Sequence, residues 1–140
     1  MKRAVIGLWA VGVALMIAVP FARADGWVYI GKTHHQNWYV HPQSIGDYDG
    51  YRKIWARRDN FEARTATDED GTTYVIWSQI DLWIVDCDQR AADLVEWLLY
   101  DGQSGTGNMI YRGQKPFEPS DLKEAPPETV IEELVVRACQ

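Results

Sequence analysis

Hydrophobic residues between positions 27 and 112 occur in short runs rich in β-branched and aromatic side chains, and polar clusters separate the runs. Such runs are typical of β-strands, and the clusters 46–50 and 68–71 have the composition of turns. The pattern predicts strands over residues 27–30, 38–41, 51–58, 74–87, 91–101 and 109–112. We expect the polar segment 32–37 to be a hairpin loop and Pro42 to end the second strand.

The run 74–87 is the longest predicted strand, and it carries bulky side chains in both phases of its alternation. One phase contains Tyr74, Ile76, Ile80, Leu82 and Ile84, and the other contains Val75, Trp77, Trp83, Val85 and Cys87. Bulk on both faces is expected of a central strand, with the core on one side and a helix or partner on the other.

Residues 91–101 fit two structures. Leu94, Val95, Leu98 and Leu99 have the spacing of an amphipathic helix and also that of a two-sided strand. The segment follows a long strand after a short link, and it precedes a glycine-rich turn and another short strand. Because two successive hairpins are the simpler chain path, we predict a strand.

The last segment, 127–138, has the i, i+3, i+4 spacing of an amphipathic helix. Its apolar stripe consists of Val130, Ile131, Leu134, Val135 and Ala138. Pro127 suits the first turn, and Glu128 there would complement the helix dipole. The predicted fold class is therefore α+β, a mainly antiparallel sheet of about six strands with one C-terminal helix packed on it.

Residues 1–24 have the three parts of a secretory signal peptide. Lys2 and Arg3 form a basic start, an apolar middle follows, and small residues end at Ala24. A membrane anchor is the alternative, but the apolar middle is shorter than the roughly 20 residues that spanning a bilayer requires. We predict cleavage after Ala24 and a single exported domain, 25–140, without a transmembrane segment. Its location would be the periplasm, the medium or the outer surface.

The chain is acidic, with 14 basic and 20 acidic residues and a formal net charge of −6. Lys2, Arg3 and Arg23 leave with the predicted signal peptide, so 11 basic residues then face 20 acidic ones and the charge becomes −9. Nucleic acids and anionic membranes attract concentrated positive charge. The balance therefore argues against nucleic acid as a partner.

Cys87 and Cys139 are the two cysteines of the chain. Export carries thiols into an oxidising compartment, where two of them usually form one disulfide. A redox pair or a metal site is the alternative, but there is no Cys-x-x-Cys spacing and no cysteine close to a histidine. We predict a structural disulfide between the longest strand and the end of the helix.

Several short motifs lie along the predicted mature chain. They are Trp-x-x-Ile-Gly from Trp27, Tyr-Val-x-Pro-x-Ser-Ile from Tyr39, Ile54-Trp55, Asp-Cys-x-x-Arg from Asp86, Tyr100-Asp101 and a tail with Pro126, Leu134 and Cys139. Together they resemble the bacterial surface-adhesin protein E-like family. The resemblance implies a small exported sheet domain with a helix, and the namesake is an outer-membrane adhesin for host matrix proteins such as laminin and vitronectin. The namesake is lipid-anchored, whereas no cysteine for lipidation follows Ala24 here, and His41 replaces the usual aspartate.

A basic cluster on the predicted strand 51–58 is the candidate binding site. It consists of Arg52, Lys53, Trp55, Arg57 and Arg58. Arginine and tryptophan often dominate interface energy, and alternation places Lys53, Trp55 and Arg57 on one face. We predict that this cluster binds a protein partner, either a host matrix protein or an envelope protein; a homodimer is a further prediction. The alternative is a solvated strand whose guanidinium groups pair with acidic loops.

Three histidines are a weaker candidate, for a metal site. His34, His35 and His41 would have to be brought together by a hairpin to ligate a metal. Adjacent residues of a strand point to opposite faces, so only one of the first two can join His41. We therefore expect solvated histidines and no metal.

Three carboxylates suggest acid–base chemistry or calcium binding. Asp81, Asp86 and Asp88 lie on or near the central strand, but their spacing is that of a strand entering a turn, without a calcium-loop pattern. Arg90 is a natural counter-ion for Asp86 or Asp88, so we expect structural pairing.

No nucleophile motif, phosphate loop or dinucleotide fingerprint occurs in the sequence. We therefore predict a non-enzymatic, adhesin-like binding module without a cofactor. The alternatives are a periplasmic envelope domain of unknown role and a hydrolase working from the three carboxylates.

Overall fold

The computed structural model describes residues 26–140, so the predicted signal peptide lies outside the described residues. Within this range six strands form one antiparallel sheet: β1 (Val28–Lys32), β2 (Gln36–Tyr48), β3 (Tyr51–Thr67), β4 (Thr73–Asp86), β5 (Ala91–Tyr100) and β6 (Met109–Gln114). Each strand pairs with the next along the chain, so the spatial order is the sequence order. A two-residue strand, β7 (Lys123–Glu124), pairs with the start of β5. The predicted antiparallel sheet is confirmed.

The second strand does not end at Pro42, and this part of the prediction is wrong. β2 continues beyond it because the residues between His41 and Gly46 form a bulge in the pairing with β3. Proline has no N–H to donate and is tolerated in a strand at such a bulge. Ser44 Oγ donates to the His41 carbonyl oxygen at 2.6 Å and accepts from the Trp55 N–H at 2.9 Å, so the hydroxyl replaces part of the lost backbone pairing.

The third strand also continues past its predicted end, residue 58, and enters the polar segment that follows. A second bulge lies between Asp59 and Arg64 in the pairing with β4. Asn60, within this bulge, donates from Nδ2 to the Ile76 carbonyl oxygen at 3.1 Å. Beyond the bulge, β3 and β4 pair again and form a projecting hairpin.

The strand prediction for residues 91–101 is confirmed. β5 pairs with β4 on one edge and with β6 on the other. The helical spacing of its leucines does not decide the structure, because pairing on both edges satisfies the hydrogen bonds of the backbone.

The helix α1 (Val130–Ala138) begins three residues later than predicted. Glu128 has a φ of 63° and lies outside the helix, so it does not occupy the first turn. Thr129 is the N-cap: its Oγ1 accepts from the Glu132 N–H at 3.3 Å, while Glu132 Oε1 accepts from the Glu128 N–H at 3.4 Å. The Thr-x-x-Glu spacing, which is typical of helix N-termini, is the sequence signal that identifies the true start.

The core lies between α1 and one face of the sheet, here called the helix face. Leu134, Val135 and Ala138 of α1 are buried against residues that include Val40 and Ile54. The predicted docking of the helix is confirmed. It places the C-terminus of α1 beside the end of β4, where the disulfide joins them.

Cys87 and Cys139 form the predicted disulfide. Their Cα atoms are 5.7 Å apart, and 52 positions separate them in sequence. Cys87 directly follows β4, and Cys139 is the C-cap of α1. The bond therefore fastens the only α-helix of the described residues to a central strand.

Candidate binding face opposite the helix

The predicted binding strand presents its residues alternately on the two faces of the sheet. Ile54 and Ala56 are completely buried in the core on the helix face. Lys53, Trp55 and Arg57 therefore lie on the opposite face, here called the outer face. The alternation predicted for these three residues agrees with the structure.

Two chain segments border the outer face at its ends. Residues 102–107 fold against it at one end, where Ser78 Oγ donates to the Gly102 carbonyl oxygen at 2.6 Å. At the other end Phe117 packs edge-on against Tyr51, with ring centroids 5.0 Å apart. The middle of the face stays accessible between these borders.

An apolar depression occupies this accessible middle, and we call it the Trp55 cavity. Its volume is about 300 Å³, and its lining residues are Trp27, His41, Ser44, Trp55, Ile80 and Leu98. Trp55, Ile80 and Leu98 come from the three neighbouring strands β3, β4 and β5, and all three are partly exposed. The cavity is large enough to accept an aromatic or a branched apolar side chain.

Trp27 forms a wall of the cavity from outside the sheet. Its ring meets His41 edge-on, with centroids 5.2 Å apart. The chain reaches this position through Gly26, whose φ is +67°, and a Cβ on Gly26 would lie 2.9 Å from His41 Nε2. Only glycine combines this backbone conformation with so close an approach.

Arg57 is part of the framework beside the cavity. It is 4 % exposed, and its Nε and Nη2 donate to the two carboxylate oxygens of Asp59, both at 3.1 Å. Its guanidinium carbon lies 4.3 Å from the centroid of the Tyr39 ring and 5.3 Å from that of Trp27. Arg57 thus holds the two aromatic rings in place, and its charge is directed inward.

Arg52 and Arg58 lie on the helix face, away from the Trp55 cavity. Arg52 Nε donates to the Ala138 carbonyl oxygen at 3.3 Å, near the C-terminus of α1, where positive charge is favourable. Arg58 Nε lies 2.6 Å from Asp81 Oδ2, and Asp81 is completely buried. The structure therefore divides the predicted cluster between the two faces.

Lys53 supplies the positive charge on the outer face near the cavity. It is partly exposed, and its aliphatic chain passes over Gly46, where a Cβ would lie 3.0 Å from Lys53 Cε. Within residues 26–140, Lys53 forms no ion pair, whereas the nearby cations Arg112 and Lys115 pair with Glu96 and Asp93 at 2.6 Å. Its ammonium group is thus available to a partner.

Sequence reasoning did not place Trp27, Ser44, Ile80 and Leu98 in the site. These residues come from four separate segments, and only the pairing register brings them together. A partial signal existed for Ser44, because a serine two residues after a strand proline suggests a bulge. For the other three, the sequence contains no comparable signal.

The model of the family described as surface-adhesin protein E matches residues 27–140. This chain belongs to the surface-adhesin protein E family. The match includes the whole sheet, α1 and both cysteines.

Solved structures of protein E have the same fold as this family member. Protein E from Haemophilus influenzae, crystal form II, superimposes with a TM-score of 0.60 at 16% identity, covering 82% of this chain and 87% of that one. Protein E from non-typeable Haemophilus influenzae gives a TM-score of 0.56 at 16% identity, covering 87% of this chain and 82% of that one. No curated protein matches the sequence.

The three aspartates of this protein E family member do not converge. Asp81 and Asp86 are five residues apart along β4, roughly 16 Å, and their side chains point to opposite faces. Asp86 Oδ1 accepts the N–H groups of Asp88 and Gln89 at 3.0 and 3.2 Å, as in a turn. Their predicted structural role therefore agrees with the geometry.

Arg90 is not the counter-ion of Asp86 or Asp88, and that expectation is wrong. Its ion pair is with Glu132 of α1, at 3.8 Å between Nη2 and Oε2. The backbone of Arg90 has a φ of 52°, which turns the chain from β4 into β5 and directs the side chain toward the helix.

The histidines do not come together either. His34 and His35 are exposed between β1 and β2, whereas His41 lies against Trp27. Between residues 26 and 140, no three His, Cys, Asp or Glu side chains are placed to hold a metal ion. The same part of the chain contains no helix with the length and apolar character needed to cross a membrane.

Proposed function

We propose that this member of the surface-adhesin protein E family is an exported, adhesin-like binding module that holds a protein partner on its outer face. The partner is a host matrix protein or a cell-envelope protein. The contact residues are Lys53 and Trp55 from the predicted cluster, together with the rest of the Trp55 cavity. Arg52, Arg57 and Arg58 support this face by fixing α1, the aromatic rings and the buried Asp81.

One observation carries the proposal: a partly exposed tryptophan lies in an apolar cavity of about 300 Å³ on a sheet face that the helix leaves uncovered. Tryptophan in a concave, apolar setting is the residue type that most often dominates protein interfaces. The unpaired ammonium of Lys53 adds a charged contact at the edge. A partner that inserts an apolar side chain next to a carboxylate fits both features.

The family membership and the disulfide support export. A disulfide persists in the periplasm or outside the cell, where thiols are oxidised. We infer that residues 1–24 direct export and that 25–140 is a single mature domain. Fractionation of cells producing the full chain, followed by mass spectrometry of the N-terminus, tests both inferences. An uncleaved chain in the cytoplasm contradicts them.

Binding to immobilised matrix proteins and to purified envelope proteins tests the proposed face. Trp55→Ala and Lys53→Glu should each weaken the affinity of residues 25–140 by about tenfold or more, as expected for hot-spot residues. Lys123→Glu on β7 is the matched control, because it makes the same charge change on an exposed lysine elsewhere. Thermal melting of each variant separates loss of binding from loss of fold.

Two results contradict the proposal. If both variants bind every wild-type partner as tightly as the parent and remain folded, the outer face is not the binding face. If sedimentation shows a stable dimer that Trp55→Ala dissociates, the Trp55 cavity binds a second copy of this chain, which is the homodimer prediction.

A further inference from the structure

One end of β4 extends beyond the end of its neighbour β5. β4 pairs with β5 from Ser78 onward, with Ser78 opposite Tyr100. Of the residues before it, 73–76 pair with β3 alone within the described chain. We call the hairpin formed by residues 64–67 of β3 and 73–77 of β4 the arm.

The direction of the backbone groups along this part of β4 follows from one hydrogen bond. The Ile76 carbonyl oxygen accepts from Asn60, a residue of β3, so Ile76 directs its polar backbone groups toward β3. These directions alternate along an antiparallel strand. Val75 therefore directs its N–H and C=O to the open edge of β4. Its cross-strand partner Thr65 directs its N–H and C=O to the opposite edge of the arm, on β3.

A groove lies along the β4 side of the arm. Its volume is about 350 Å³, and its lining residues are Ala66, Thr67, Asp68, Tyr74, Ile76, Leu99, Ile110 and Tyr111. Tyr111 is 55 % exposed and Ile76 is partly exposed, so apolar groups border the groove on β6 and on the arm. The groove thus combines a row of open backbone groups with places for side chains.

The arm is acidic. The turn that joins its two strands, 68–72, contains Asp68, Glu69 and Asp70, whereas the strands contribute one cation, Arg64. Asp68 is occupied by the turn, since Oδ1 accepts the N–H groups of Asp70 and Thr72 at 3.0 and 2.9 Å. Glu69 and Asp70 are exposed at the tip. Positive charge on a ligand is therefore favoured here.

We propose that the open edge of β4 at residues 73–77 binds an extended, positively charged segment of a protein partner as an added strand. An open strand edge is recognised by another strand through backbone hydrogen bonds, and adjoining pockets select the side chains. A second copy of this chain is disfavoured as the occupant, because each copy is strongly acidic. This surface is separate from the Trp55 cavity.

The test uses a blocked heptapeptide of alternating lysine and valine, added to the mature chain 25–140. Binding should slow hydrogen exchange of the Val75 amide about tenfold or more at saturation, since an open N–H becomes hydrogen-bonded. The Ile76 amide, which already faces β3, should change little. A peptide with glutamate in place of lysine should bind at least about tenfold more weakly, because the acidic turn repels its negative charge.

Val75→Pro removes the outward N–H and leaves the bonds to β3, so it should weaken peptide binding about tenfold or more. Thr65→Pro is the matched control: it makes the same change on the opposite edge of the same arm and should leave affinity within about twofold. Trp55→Ala should also leave the affinity for the peptide unchanged, because Trp55 lies in the other surface. This variant therefore separates the present proposal from the proposed function.

Three outcomes overturn the inference. The first is an unchanged exchange rate at Val75 under saturating peptide. The second is equal binding of the lysine and glutamate peptides. The third is a self-associated wild-type protein that Val75→Pro turns into monomers, because the edge is then occupied by a second copy.

Discussion

At the residue scale, the most consequential polar contact is the pair Arg58–Asp81. Asp81 is completely buried, and burial raises its pKa even though Arg58 and the Gln79 amide, at 2.6 Å, both favour the charged form. Removing a carboxylate from water costs more free energy than its attraction to one neighbouring charge recovers. The Arg58 side chain is 18% exposed and keeps some solvation.

The raised pKa of Asp81 predicts a specific pH dependence. Above the ordinary value of 3.8, the native state binds this proton more tightly than the unfolded state does, so stability falls as pH rises through the window between the two pKa values. The Asp81→Asn variant lacks this dependence of stability on pH, because asparagine does not titrate. Denaturant unfolding from about pH 3 to pH 8 should show that the free energy of unfolding of the parent, relative to the variant, decreases as pH rises. A constant difference contradicts the prediction.

Packing against a neighbouring strand requires that the side chain of Gly113 be no larger than a hydrogen atom. A Cβ on this residue of β6 would overlap the indole ring of Trp97, which lies across it from β5. Gly113→Ala should therefore destabilise the protein by about 2 kcal/mol or more. Gly46→Ala is the control, since its Cβ meets only the flexible end of Lys53, at 3.0 Å. Equal unfolding midpoints for the two variants contradict this account.

At the element scale, α1 is stabilised by its buried stripe and by its N-cap, Thr129. It is short, and an isolated helix of this length is unstable in water, so docking on the sheet maintains it. Leu134 is completely buried, whereas Val136 on the opposite side is 37 % exposed.

Leu134→Ala should lower the free energy of unfolding by about 2 to 5 kcal/mol, because it removes core contacts and leaves a cavity. Val136→Ala makes a similar truncation on the exposed side and should change stability by less than about 0.5 kcal/mol. Chemical denaturation of both variants measures the difference. If the two truncations lower the free energy of unfolding by the same amount, α1 is not an essential part of the core.

At the scale of the whole molecule, the disulfide closes the fold by connecting the last turn of the chain to β4. A closed loop of this length reduces the entropy of the unfolded chain, with an effect on the order of 4 kcal/mol. Replacing both cysteines with serine should destabilise the protein by about this amount. Mass spectra of the parent should shift by two hydrogens on reduction. Free-thiol labelling of the unreduced, denatured parent contradicts the bond.

Local pattern was sufficient to predict most elements. Residue composition located the strands, the i, i+3, i+4 stripe located α1, and two exported cysteines implied the bond between Cys87 and Cys139. Strand alternation alone assigned Lys53, Trp55 and Arg57 to one face. These features depend on neighbours in sequence, so the sequence by itself determined them.

Tertiary structure decided which of those residues are available. Arg57 is buried because Tyr39 and Trp27 from other segments cover it, and Arg58 pairs with Asp81 on the neighbouring strand β4. The continuation of β2 through Pro42 depends on a bulge that pairing with β3 creates. The Trp55 cavity and the open edge of the arm likewise depend on where each strand stops relative to its neighbour. Register between distant segments has no local signature, and that is why only the folded chain shows these sites.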